Sequence, residues 1–279
     1  MIKIVTDSTA YPTEQEIKEL DLTIVPLYVT SKDAIYRERV DISDEEFYKR
    51  LKDKEEFSRS QPSTNNFVEA YKPLLEKGYE ILSIHISSIL SGTVNAATAA
   101  KELLKTDKIT IVDSKSSSVN LLYKVKKASE LVKKGLSREE IKNEIEKMQN
   151  KVHGFFLPMN VDLLIKGGRI SHLQGKITTA LKLYFILYLK DGKIELYKFG
   201  RTRNGSKEEL IKIAKEIALK SGGFEAVDTI FSANDEEGEE FRAKVEKEVA
   251  MPVKKYRIGP VLGTHLGLET VGVSVITKE

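Results

Sequence analysis

The chain has no cysteine and no tryptophan. Without cysteine there are no disulfides, no thiol catalysis and no thiolate metal sites. Histidine is scarce: His85, His153, His172 and His265 stand far apart, and no His-Glu-x-x-His run joins any two. No zinc pattern exists, and no metal is expected. Charge of one sign is lacking too. The 45 basic residues nearly balance the 42 acidic ones, leaving a net charge of +3. With no polybasic run, no nucleic-acid partner is expected. No apolar stretch approaches a membrane span. Met1-Ile2-Lys3-Ile4-Val5 begins at once as a strand rather than as a signal peptide. A cytoplasmic protein is the expectation. The phosphate-binding Walker loop, the G-x-G-x-x-G turn and the G-x-S-x-G nucleophile elbow are all absent.

The 279 residues suffice for one large domain or two ordinary ones. In the first half, short apolar strands alternate with helices. Ile2 to Val5, Leu22 to Thr30, Tyr79 to Ile86 and Lys108 to Val112 read as strands. Thr13-Glu14-Gln15-Glu16, Ser43-Asp44-Glu45-Glu46 and Ser137-Arg138-Glu139-Glu140 read as capping boxes that open helices. Alternation of this kind predicts a parallel sheet covered on both faces. The second half differs. A strand at Val152 to Pro158 precedes a short helix at Asp162 to Ile165, stopped by Gly167-Gly168. Tyr184 to Leu189 and Ile194 to Phe199 form a hairpin around Asp191-Gly192. A helix near Lys207 to Leu219, a strand at Ala226 to Phe231, a helix at Glu236 to Val249 and two last strands complete it. The expected fold is α/β with two domains: a parallel-sheet α/β domain over 1–150 and an α+β domain over 151–279.

Small polar residues gather in turns of the first half. Ser87-Ser88-Ile89-Leu90-Ser91-Gly92-Thr93 lies between a strand and an alanine-rich helix. Hydroxyls and free N–H groups at the start of a helix suit an anion, though Ser and Thr are also ordinary caps. Asp7-Ser8-Thr9, Ser60-Gln61-Pro62-Ser63-Thr64 and Asp113-Ser114 are similar clusters. In open parallel sheets, ligands lie outside the carboxyl ends of the strands. In the second half, Gly167-Gly168-Arg169 offers a guanidinium fork beside flexible backbone, and Arg201-Thr202-Arg203 a second such fork. Gly259 to Gly267 reads as a Gly-flanked loop that carries His265. Ser91, Asp113 and His265 could also be arranged as a hydrolytic triad.

These motifs run in one order along the chain. They are Val5-Thr6-Asp7-Ser8-Thr9, Ser60-Gln61-Pro62-Ser63, Ser87 to Thr93, Val112-Asp113-Ser114, Gly168-Arg169-Ile170-Ser171 and Gly263-Thr264-His265-Leu266-Gly267. In that order they resemble the DegV family of bacterial fatty-acid-binding proteins over essentially the whole chain. The resemblance implies two α/β domains with one long-chain fatty acid, its tail in the second domain and its carboxyl group at the domain junction. It implies a non-catalytic subunit with no other cofactor. An ATP-dependent kinase partner phosphorylates the bound acid, and the acyl phosphate feeds phospholipid synthesis. A transient contact with the membrane goes with that role. By the same resemblance Ser91 binds the carboxyl group, with Ser60, Arg59, Gly92 and Thr93 beside it. Arg169 and His265, with Arg201 as a looser match, hold the acyl-phosphate head. Phe155, Phe156, Leu163, Leu164, Leu181, Leu183, Phe185 and Ile186 are candidates for lining the tail tunnel. The chain departs from the family pattern at three places: Arg59 replaces the usual Thr, Tyr184-Phe185 the usual Lys-Pro, and Gly267-Leu268-Glu269 the usual Gly-Pro-Gly. Two other readings stay open: an acyl-ester hydrolase using Ser91 and His265, and a module binding a small anion or nucleotide.

Overall fold

The computed structural model describes the whole chain except residues 159–160 and 174–182. It divides into two compact units, Met1–Ile42 with Ser58–Asn150, and Ser43–Phe57 with Lys151–Glu279.

The first unit is built on four parallel strands in the order β2-β1-β6-β7. They are β1 (Ile2–Asp7), β2 (Leu22–Val25), β6 (Glu80–His85) and β7 (Ile109–Asp113). Helix α1 (Glu14–Glu19) connects the first two and opens with the capping box predicted at Thr13 and Glu16. Val5, Val25, Ile81 and Ile109 pack against Phe67 and Tyr71 of α3 (Thr64–Glu76) and Ala96, Ala97 and Ala100 of α4 (Thr93–Leu104). Helix α5 (Ser118–Lys133) buries Leu121, Leu122, Val125 and Ala128 completely and packs on β1 and β6. Helix α6 (Arg138–Lys147) lies beside it, opened by the Ser137–Glu140 capping box. Helices on both faces explain why the strands read as near-continuous apolar runs.

The expected strand from Leu22 to Thr30 is broken at Pro26. Proline has no N–H for a ladder, and Leu27 N–H donates instead to Ser8 Oγ at 3.0 Å. The chain then enters a separate antiparallel ribbon, β4-β3-β5, of β3 (Tyr28–Thr30), β4 (Ile35–Arg37) and β5 (Ser58–Ser60).

The second unit carries a six-stranded sheet in the order β10-β9-β8-β13-β11-β12. Its strands are β8 (Val152–Leu157), β9 (Tyr184–Lys190), β10 (Lys193–Gly200), β11 (Phe224–Phe231), β12 (Lys255–Arg257) and β13 (Val271–Thr277). The hairpin turn has positive φ at both Asp191 and Gly192, as the Asp-Gly pair predicts. Helices α8 (Arg203–Lys220) and α9 (Asp235–Val249) pack on one face through Leu210, Ile211, Ile213, Ala214, Phe241 and Val245. Helix α8 begins four residues earlier than its apolar periodicity suggests, because Thr202 Oγ1 caps it by accepting from Gly205 N–H.

Residues 43–57 were expected in the first domain, but α2 (Asp44–Lys52) groups with the second unit. Tyr48 donates to the Ile258 carbonyl at 2.9 Å, and Arg257 pairs with Glu45. At Gly263 an added Cβ would lie 2.7 Å from Phe47 and 2.9 Å from the Tyr48 hydroxyl. Such close approach of helix to glycine is tertiary information, with no signature in local spacing.

Candidate functional site

The Ser87–Thr93 loop is held from below by Asp113 at the carboxyl end of β7. Its carboxylate accepts from Ser88 N–H at 3.2 Å and Ser88 Oγ at 2.6 Å, and also from Lys115 N–H at 2.9 Å. Ser91 N–H donates to the Ser87 carbonyl. Ser91 Oγ lies 2.8 Å from Thr93 Oγ1, so these hydroxyls form a pair at the opening turn of α4. Gly92 caps α4 without a side-chain hydrogen bond. Thr93 N–H, the first of the helix, donates to Ser91 Oγ at 3.4 Å.

The second loop meets the first at Gly92. A Cβ there would fall 2.0 Å from Gln61 Oε1 and 2.6 Å from Gln61 Nε2. The Ser60-Gln61-Pro62-Ser63 turn therefore reaches over the Ser91-Gly92-Thr93 turn, and only a glycine permits it. Ser63 caps α3 in a reciprocal pair with Asn66. Arg59 and Ser60, both expected beside the carboxyl group, occupy adjacent positions of β5 and so face opposite ways. Arg59 stands opposite buried Val29, and Ser60 opposite Tyr28.

The other two clusters are absorbed by the fold. Asp7 Oδ1 accepts from Thr9 N–H, and its Oδ2 from Ile86 N–H at 2.8 Å. Ser8 Oγ donates to the buried carboxylate of Glu38. Ser114 gives its carbonyl to Lys124 Nζ at 2.6 Å, and Gln149 Oε1 accepts from the same ammonium at 2.7 Å. Burial lowers Lys124 to about 8. These are structural polar contacts of a buried strand edge.

In the second unit, Gly168 and Arg169 close α7 (Asp162–Lys166). Gly168 N–H donates to Ile165 O, Arg169 N–H to Leu164 O, and Gly168 takes φ +74°. This is the reciprocal C-terminal cap that glycine favours. The Arg169 guanidinium reaches back to the Gly167 carbonyl at 2.6 Å. His265 was expected in a loop. It lies instead on α10 (Pro260–Leu266), where Pro260 starts a helix and Gly267 ends it with φ +74°. Pro at the first helical position and Gly just past the end are start and stop signals, and the Gly-rich flanks hid a helix of seven residues. His265 is buried. Arg201 is exposed, whereas its neighbour Arg203 forks onto Glu237 at 3.0 and 2.9 Å. Burial pushes Glu237 up, but hydrogen bonds from Arg203 and Lys207 outweigh it and hold the carboxyl below its usual range. Of the remaining histidines, His172 lies near Glu195 on the surface, and burial lowers His153.

Strand alternation sorts the tail candidates. Phe155 pairs with Tyr188 and Val273, and its ring stacks on Tyr188. Phe155 and Ile186 belong to the core under α8 and α9. Phe156 pairs with Leu187 and Gly272, so it shares the opposite face with Phe185, while Leu183 lies just before β9. Gly272 is closely packed: a Cβ on it would lie 2.5 Å from the Phe155 carbonyl and 2.9 Å from both Ile230 and Phe156. Leu163 and Leu164 lie on α7, with Leu163 against Gly267 at the end of α10. Leu181 falls outside the described residues. Among the described residues no group of His, Asp and Glu could hold a metal ion, and no helix is long and apolar enough to cross a membrane.

The family model described as "Uncharacterised protein, DegV family" matches residues 1–278. The chain belongs to the DegV family. It is 36% identical over 282 residues to a DegV domain-containing protein of Staphylococcus aureus strain N315, covering 99% of this chain and 98% of that one. Among solved structures, it is similar to a fatty acid (stearic acid)-binding protein from Eubacterium ventriosum. That likeness has a TM-score of 0.92 at 29% identity, over 100% of this chain and 99% of that one. DegV from Bacillus subtilis, described as a fatty acid binding protein, matches with a TM-score of 0.89 at 31% identity, over 99% of each chain.

Sequence reasoning passed over His85 and Tyr71. Ser83 and His85 are alternate residues of a strand in which Ile81, Leu82 and Ile84 are apolar, which places both polar groups on one buried face. Asp7, ending the neighbouring strand, is their natural partner.

Proposed function

We propose that this DegV chain binds a long-chain fatty acid and presents its carboxyl group to a partner kinase. The observation that carries the reading is the whole-length likeness to the stearic-acid-binding protein. Two features of the chain support it. The Ser60–Ser63 and Ser91–Thr93 turns converge at Gly92, giving hydroxyls and helix N–H groups to a carboxylate. The sheet face bearing Phe156, Phe185 and Leu187 offers apolar side chains on neighbouring strands. Burying ~14 methylenes at roughly 0.8 kcal/mol each is worth on the order of 11 kcal/mol before binding costs. Tail burial supplies affinity, and the hydroxyls orient the head.

Ser91 is the carboxyl contact in this reading, with Thr93, Gly92 and Ser60 around it. Arg169 and His265 serve the acyl phosphate, whose head carries more charge than a carboxylate. Arg169→Ala and His265→Ala are expected to purify with fatty acid yet fail to yield acyl phosphate with a competent kinase subunit and ATP. Loss of lipid from both, with normal phosphorylation of what remains, contradicts that assignment. The hydrolase alternative gains nothing from Asp113, whose carboxylate is engaged by Ser88 and Lys115.

A further inference from the structure

Four buried side chains of the first unit form a hydrogen-bonded relay that none of the roles above uses. Tyr71 Oη lies 2.7 Å from Ser83 Oγ, and Ser83 Oγ lies 2.6 Å from His85 Nε2. His85 Nδ1 lies 3.1 Å from Asp7 Oδ2. All four residues are fully buried. Each hydrogen must therefore find its acceptor within the relay. A carboxylate only accepts, which places a proton on Nδ1. Ser83 Oγ bridges His85 Nε2 and Tyr71 Oη, so both hydroxyls and both ring nitrogens have partners inside the relay. Burial pushes the Tyr71 phenol up, so it keeps its proton. Phe67 meets the His85 ring edge-on, with 5.0 Å between centroids.

One end of the relay lies at the root of the Ser87–Thr93 loop, and the other lies on the helix that follows the Ser60–Ser63 turn. Asp7 Oδ2 also accepts from Ile86 N–H at 2.8 Å, and Ile86 leads directly into Ser87–Thr93. Tyr71 stands on α3, which starts at the Ser60–Ser63 turn. The same two loops touch at their tips through Gln61 and Gly92. We propose that His85, held by Asp7, Ser83 and Tyr71, is a positioning residue that sets the spacing of the Ser60–Ser63 and Ser87–Thr93 loops and so the orientation of the ligand's carboxyl group. The inference rests on the fatty-acid reading for its ligand, but its geometry belongs to the first unit alone.

The test uses the full chain loaded with palmitic acid labelled with carbon-13 at the carboxyl. Lipid occupancy is read by native mass spectrometry, head orientation by the carboxyl resonance, and selectivity by competition between palmitic acid and hexadecanol. In His85→Leu, occupancy stays near wild type, the carboxyl resonance moves or broadens, and the preference for acid over alcohol falls about tenfold, as for one misplaced charge-assisted hydrogen bond. His85→Asn restores resonance and preference, because its amide nitrogen takes the place of Nδ1 and donates to Asp7. His85→Gln reaches only toward Ser83 and restores less. An unchanged resonance and preference in folded His85→Leu overturns the proposal, as does His85→Asn behaving like His85→Leu. If His85→Leu does not fold, Tyr71→Phe removes one hydroxyl and is expected to move the resonance the same way by less; no movement overturns the proposal. Amide exchange in the ligand-free chain gives a readout independent of the lipid. Exchange in both loops rises in His85→Leu and not in His85→Asn. A wild-type chain that takes up no fatty acid contradicts the functional reading, while the exchange pattern still decides the positioning role.

Discussion

At Gly92 backbone strain plays no part, since φ of −75° suits any residue. The constraint is the Gln61 amide lying over its Cα. Gly92→Ala must push Gln61 aside. Because Gln61 is a flexible surface side chain, the expected stability loss is under about 1.5 kcal/mol. The loop contact is lost all the same, so thermal unfolding shifts little while fatty-acid selectivity falls. Under the proposed function, Ser91→Ala is expected to remove one hydrogen bond to a charged head, worth roughly 1.5–3 kcal/mol, and to leave the larger tail contribution intact. Competition between acid and alcohol of equal chain length measures that loss. Lys124 makes a separate prediction. Its folded value is about 8 against an ordinary 10.5, so between these values the unfolded chain binds more protons. Stability therefore rises as pH goes from about 8 to 10.5, and is flat in this respect below 8. Urea midpoints across that range should show the rise in wild type and its absence in Lys124→Met.

Elements were legible where local chemistry fixes them. The Thr13–Glu16 and Ser137–Glu140 capping boxes, the Asp-Gly hairpin and the glycine stop after α7 all formed where the residues placed them. Ser43 kept only half of its expected box: its side chain accepts from Glu46 N–H, while the Glu46 carboxylate turns to Arg50. Elements set by long-range packing were not legible. Nothing near Gly263 in sequence announces Phe47, and nothing near Phe155 says which sheet face α8 and α9 will cover. That choice puts Phe155 and Ile186 under α8 and α9 and Phe156 on the opposite sheet face. Gly168 tests the α7 end. At φ +74° a Cβ is strained, so Gly168→Ala should cost on the order of 1 kcal/mol and displace the Arg169 fork. Lower acyl-phosphate yield with unchanged lipid occupancy is the expected pair of results.

For the molecule as a whole, the sequence carried the family through six ordered motifs, and the family match over residues 1–278 agrees. The motifs mix several kinds of residue. Ser91, Gly92 and Gln61 meet at the loop tips, Asp7 and Asp113 tie the strand ends to the Ser87–Thr93 segment, and Ser8 and Ser114 bond within the surrounding fold. Sequence alone shows all of them as turn-forming polar clusters, because hydroxyls and carboxylates serve a cap, a loop tie or a ligand with the same hydrogen bonds. The direct test of the account is a native mass spectrum of the purified chain, followed by identification of its organic extract. The account predicts a mass increment of one long-chain fatty acid per chain, removed by delipidation and regained on incubation with palmitic acid. A bare polypeptide that gains no mass on that incubation contradicts it.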